Sequence, residues 1–262
     1  MSKENPPLFS KDKAAFKRYL NKQVKRLNKS VFVENDPISI PKTYSLKQDI
    51  EITAFWTSML AWGQRVTIIN KSKELFHLMG NEPHNFILNH KEKDRKRFAD
   101  FKHRTFQYTD TLYFLDFLQR FYQSHDSLEE AFLGHKEMKS NFIAFHNLFF
   151  DADHAPQRTR RHLATPARKS ACKRLNMFMR WMVRQDKSGV DFGLWHNIKP
   201  AQLMIPLDVH VERVARHLGL LTRKQRDWLA VEELTDNLRL LDVNDPVKYD
   251  FALFGLGVIG EF

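Results

Sequence analysis

An all-α fold is what this sequence predicts, and three observations predict it. Apolar residues recur at helical spacing through most of the chain, with no alternation of the kind a half-buried strand would show. Helix start signals, Ser or Asp followed by acids or by proline, stand ahead of several of those runs. Only 9 glycines interrupt the 262 residues and 42% of them are hydrophobic, a globular composition rather than a linker-rich or disordered one. A chain of this length builds one large or two modest domains.

Residues up to Pro7 are expected to be mobile. From Lys11 to about Leu27 the spacing predicts a basic helix with Ala15, Phe16, Tyr19, Leu20, Val24 and Leu27 inside, and no capping box at Ser10 to Lys13. Asp36-Pro37 and Pro41 mark an extended connector. From Gln48 onward, Ile52, Phe55, Trp56, Met59 and Leu60 form one broad apolar face, which predicts a buried helix ending at Trp62-Gly63. The next helix carries Val66, Ile69, Leu75, Phe76 and Met79, with Gln64 and Arg65 at the junction, and Gly80 to Pro83 closes it. His90 to Arg97, HKEKDRKR, reads as a solvated charged face, and His84 and His90 as surface residues. Aromatic residues continue the helical pattern from Tyr113 to Tyr122, Ser127 caps a turn holding Glu129 and Glu130, and Asp151 to Arg161 reads as a loop.

The stretch from Leu163 to Leu221 organises the rest. Ala171, Leu175, Phe178 and Met182 define an apolar helix face, and Lys169, Lys173, Asn176, Arg180 and Arg184 form a positive stripe beside it. A second helix holds Val211, Val214, Ala215 and Leu218 and stops at Gly219. Asp208 stands just ahead of it as a natural N-cap. After Leu221, Thr222 to Gln225 fits a capping box before Leu234, Leu238 and Leu241, and Asp245-Pro246 opens a last helix with Val247, Phe251 and Phe254 inside.

Charge and composition narrow the chemistry. With 42 Lys and Arg against 31 Asp and Glu, the net charge of +11 favours a polyanionic partner. The single Cys172 excludes an intramolecular disulfide, a multi-cysteine zinc site and an iron–sulfur cluster, and suits the cytoplasm with a core-packing role. No apolar leader segment and no run of about 18 apolar residues is present, so secretion and membrane spanning are not expected. A phosphate-binding glycine loop, an HExxH pair among the 12 histidines and a serine elbow are also missing. What remains is an amine and a carboxylate: Lys169 or Lys173 with Asp208. A lysine becomes a nucleophile when neighbouring cations or burial favour its neutral form, and Arg168, Lys169, Lys173 and Arg174 are crowded together. The competing reading makes Asp208 a plain cap and the lysines phosphate contacts or solvated charges.

Leu163 to Ala171 reads LATPARKSA, and Pro206 to Val214 reads PLDVHVERV. At these residues the chain resembles the helix-hairpin-helix DNA glycosylases, the HhH-GPD superfamily of endonuclease III and archaeal 8-oxoguanine DNA glycosylase. The first segment is similar to their LPGVGRKTA hairpin at Leu163, Arg168, Lys169 and Ala171, with Ser170 for Thr and with Thr165 and Ala167 where the hairpin has glycines. The second is similar to their VDTH element at Asp208, Val209 and His210, followed by Arg213-Val214. A likeness to a bacterial family of unknown function within that superfamily runs over most of the chain, through SACKRLNMF, RWMVR, LDVHV and the ending DPVKYDFALFGLG.

The resemblance implies a two-lobed HhH-GPD fold with a cleft, one lobe at about 46–185 and the other at about 8–45 plus 186–262. It implies a DNA N-glycosylase, with or without abasic-site lyase activity, that flips a damaged base out of duplex DNA. Asp208 would be the catalytic aspartate and Lys169 the Schiff-base lysine, with Lys173 as the alternative. Gln64 would be a polar wedge, and Arg65, Arg168, Ser170, Arg174, Arg180, His210 and Arg213 would contact DNA. No cofactor, metal or iron–sulfur cluster and a monomer are expected. The alternative class is a DNA- or RNA-binding module that keeps the fold without the chemistry.

Overall fold

The structure, a computed structural model, describes residues 8–29 and 33–260, and the expectation for residues up to Pro7 lies outside them. Among the described residues the chain is all-helical. In order it forms α1 Lys13–Leu27, α2 Lys47–Met59, α3 Arg65–Leu78, α4 Pro83–Asn89, α5 Glu92–Arg95, α6 Tyr108–Tyr122, α7 Met138–Phe149, α8 Lys173–Val183, α9 Val209–His217, α10 Trp228–Arg239 and α11 Asp250–Val258. No strand forms among these residues, only isolated bridges at His103–Phe106 and Ser170–Asp227. None of the described helices is long and apolar enough to cross a membrane.

Contacts divide the chain into two units, Val33–Thr165 and Met1–Phe32 with Pro166–Phe262. The boundaries differ from those read in the sequence. Residues 33–45 go with the middle unit because the 3-10 turns Pro37–Ser39 and Pro41–Thr43 pack on α2. The hairpin and α8, expected in the middle lobe, go with the terminal unit because Arg180 and Arg184 of α8 reach Asp250 and Asp245 near α11.

The middle unit is built around α2, whose residues Ile50 to Met59 are all buried. An all-buried helix has no solvated face, which suits its aromatic surroundings: Phe55 stacks on Phe114 of α6 at 5.8 Å, and Phe149 of α7 meets Phe117 at 4.3 Å. The one carboxylate inside, Glu51, accepts from Tyr122 Oη (2.8 Å), Ser127 Oγ (2.5 Å) and the Leu128 N–H (3.0 Å). Two expectations fail in this unit. Val66 is 69% exposed at the start of α3, where the turn after Gly63 swings it away from the core. His90 is buried, with Nδ1 facing the Phe86 and Ile87 carbonyls and Nε2 accepting from Arg95, and burial lowers its pKa.

In the terminal unit α9 and α11 pack most closely. A Cβ built on Gly257 would stand 2.8 Å from His210 Cβ and 3.0 Å from its carbonyl oxygen, so glycine is what allows the approach. α1 lies on α11 where Leu27 meets Gly255, and the Phe9 N–H donates to Leu218 beyond α9 (3.1 Å). The segment after α8 folds back on it, with Phe192 N–H donating to the Trp181 carbonyl and Trp195 packing edge-on against Phe178. α10 starts at Trp228 under the cap Asp227, later than expected, because Glu233 bonds the Thr222 N–H and hydroxyl and holds that segment as a turn.

Candidate functional site

Asp208 caps α9 as its local sequence predicts. Its extended backbone (φ −111°) turns Oδ1 onto the N–H groups of His210 (2.9 Å) and Val211 (3.0 Å). Gly219, at φ +75°, ends the helix. α9 and α11 then run alongside with a common offset: His210 meets Phe254, ring centroids 5.8 Å apart, and Arg213 donates to the Gly257 carbonyl at 2.6 Å. The same offset sets Asp208 beside the first turn of α11, which begins at Asp250.

Asp250 was not singled out by its sequence context, and its partner explains why. It is buried and accepts a charge-assisted bond from Arg180, which lies 70 residues earlier in the chain. Burial pushes Asp250 up to about 6; Arg180 opposes the rise, and the charges of Asp208 and Asp191 add to it. Arg180 also bonds Asp191 (3.2 Å) and lies over the Phe251 ring at 4.6 Å. One turn on, Arg184 binds Asp191 (3.1 Å), Asp186 (2.6 Å) and Asp245 (3.0 Å). Two guanidinium groups thus serve four carboxylates, and burial raises the pKa of Asp191 and Asp245 as well as Asp250. For Arg180, expected at DNA, this is a correction: its side chain is 11% exposed and committed to Asp191 and Asp250.

The two lysines occupy different settings. Lys169 is exposed at φ +60° in a hairpin where the 3-10 turn Pro166–Arg168 is closed by its own N–H on the Pro166 carbonyl (2.8 Å). Its carbonyl accepts from the Trp228 N–H (3.2 Å) and Ser170 bridges to Asp227, which pins the hairpin to the start of α10. The left-handed residues are Lys169 and Cys172; neither Thr165 nor Ala167 adopts positive φ, so the missing hairpin glycines cause no backbone strain at those positions. Ser170 Oγ accepts from the Cys172 N–H at 3.2 Å. Lys173 opens α8 behind the buried Cys172, whose thiol burial pushes up to about 12. Seven residues apart, Lys173 and Arg180 share a face of α8, whereas Ala171, expected on the helix, precedes it.

The remaining predicted residues divide by unit. Arg168 is exposed on the hairpin, and Arg174 in the first turn of α8 is half-buried, with burial lowering its pKa to about 10. His210 keeps a buried Nδ1 with no hydrogen-bond partner among the described residues. Gln64 and Arg65, both exposed, belong to the middle unit at the start of α3. No group of three or more His, Cys, Asp or Glu among the described residues is arranged to hold a metal ion.

Residues 36–259 match a protein family whose description is "Protein of unknown function (DUF2400)". No curated protein and no solved structure matches the chain.

Proposed function

This chain belongs to the DUF2400 family, and we propose that it is a DNA N-glycosylase of the helix-hairpin-helix type acting on a damaged base in duplex DNA. The observation that carries the reading is the convergence in one unit of a lysine-bearing helix face and a capping carboxylate: Lys173 and Arg180 share a face of α8, Arg180 holds Asp250, and Asp208 stands beside the turn that Asp250 begins. Of the two lysines the geometry favours Lys173, because Lys169 projects from a hairpin tied to α10. The net charge of +11 and the cationic first turn of α8, which has no acidic residue of its own, suit a phosphate backbone.

In this reading the neutral Lys173 amine attacks the sugar C1′ as the bond to the base breaks, and the base leaves with the bonding pair and takes up a proton. The Asp208 carboxylate offsets the positive charge that develops on the sugar. The amine–sugar adduct loses a proton and its ring opens to a Schiff base, which gives lyase activity. A second reading, a DNA- or RNA-binding module, is favoured by one observation: a single oxygen of Asp208 takes both N–H bonds, as a purely structural cap does.

Borohydride trapping on duplexes carrying an abasic site, 8-oxoguanine, uracil or an alkylated base separates the two. A covalent adduct is expected, lost in Lys173→Gln and kept in Lys169→Gln. Asp208→Asn, which preserves a good cap, should bind DNA yet lose base release by two orders of magnitude or more, in keeping with the loss of a group acting on transition-state charge. No adduct and no free base from any duplex, with DNA binding intact, would leave the binding module.

A further inference from the structure

We propose that Asp250 is a positioning residue for Asp208, anchored by Arg180 so that a second carboxylate stands beside the first at the adjacent N-termini of α9 and α11. The inference rests on the reading that Asp208 serves chemistry at the sugar. Its geometry is fixed from both sides. The close approach at Gly257 and the Arg213 bond to the Gly257 carbonyl lock the register of α9 on α11. From α8, Arg180 grips Asp250 and Asp191 and lies on Phe251, so the carboxylate cannot turn away without leaving a buried guanidinium short of a partner.

The charged groups bearing on Asp250 are Arg180 from α8, Asp208 from the start of α9 and Asp191 from the segment between them. Asp245 and Lys248 lie in the turn leading into α11, His210 faces it from α9, and α1 brings Lys25 and Arg26 in its last turn. Two carboxylates this close do not lose their protons independently. Asp250, the buried one, takes up a proton first as the pH falls, near 6, while Asp208 with its two N–H donors stays ionised. Above that pH the site holds two negative charges, and below it one. The second charge adds to the field that favours a cationic sugar, so turnover should rise through pH 6 and level off above it.

Asp250→Asn keeps the shape and removes the charge. Base release at pH 7.5 is expected to drop about tenfold, to the level the unaltered protein shows at pH 5, and to become flat between those values. Carbon-detected NMR titration of the Asp208 carboxyl gives a reading that does not depend on catalysis: its midpoint should move to lower pH in Asp250→Asn, because a neighbouring negative charge is gone. An unchanged Asp208 midpoint would overturn the proposal whether or not base is released. Absence of base release from the unaltered protein, with the midpoint still shifting, would sink the glycosylase reading and leave the carboxylate pair standing. Should Asp250→Asn fail to fold, the unaltered protein decides: the Asp208 signal should show a step near pH 6 besides its own, and a single sigmoid would refute the coupling.

Discussion

Glu51 shows how much a single buried side chain can hold. Its carboxylate satisfies the Tyr122 hydroxyl, the Ser127 hydroxyl and the Leu128 N–H, all inside the middle unit. Glu51→Ala would strand these donors and open a void, and each buried unsatisfied group costs on the order of 1–3 kcal/mol. A loss of about 3 kcal/mol or more is expected, measurable as a shift in the urea midpoint with the slope unchanged. Residue-scale features of this kind were unevenly legible. The Asp208 cap could be read because a cap is made with residues two and three positions on. Asp250 could not, because what makes it unusual is an arginine 70 positions away, and His90 looked solvated only because its neighbours in sequence are charged while those in space are Phe86 and Ile87.

Helices were legible where one face differs from the other. α8 and α9 announced themselves through apolar spacing, and the connector after α8 was rightly read as non-helical. α7 went unread although Phe142, Phe145 and Phe149 repeat at three and four, because His and Asn residues dilute its apolar run. The cap of α10 was misplaced because Thr222 to Gln225 has the letters of a capping box, while Asp227, five residues beyond Thr222, holds the Ala230 N–H at 3.1 Å. The contact between α9 and α11 supplies the test at this scale. Gly257→Ala would drive a methyl into the His210 backbone, which cannot yield as a side-chain tip can, and should cost about 1–3 kcal/mol. Gly255→Ala, pressing on the flexible Leu27 side chain, should cost less, and denaturant melts of the pair would expose any error in that order.

For the molecule as a whole, charge is the property that sequence alone settles, since +11 follows from counting. If the partner is DNA, affinity for a duplex should fall at least tenfold between 50 and 200 mM salt, as neutralised phosphates regain their counterions. A flat response in fluorescence anisotropy would argue against a backbone-tracking surface. The all-α class was legible from periodicity, but the division of the chain was not: it turns on Arg180 and Arg184 tying α8 to the C-terminal helix, and ion pairs across such separations leave no periodic trace.

The lone cysteine gives this protein a reporter it was born with. Cys172 is buried at the threshold of α8, one position before Lys173, and no other thiol competes with it for reagent. Because a sealed sulfur reacts only when its cover lifts, the rate at which a colorimetric disulfide labels the native protein clocks the opening of that helix start. A DNA duplex seated there would slow the clock, which turns an ordinary cuvette into a footprinting instrument with single-residue aim.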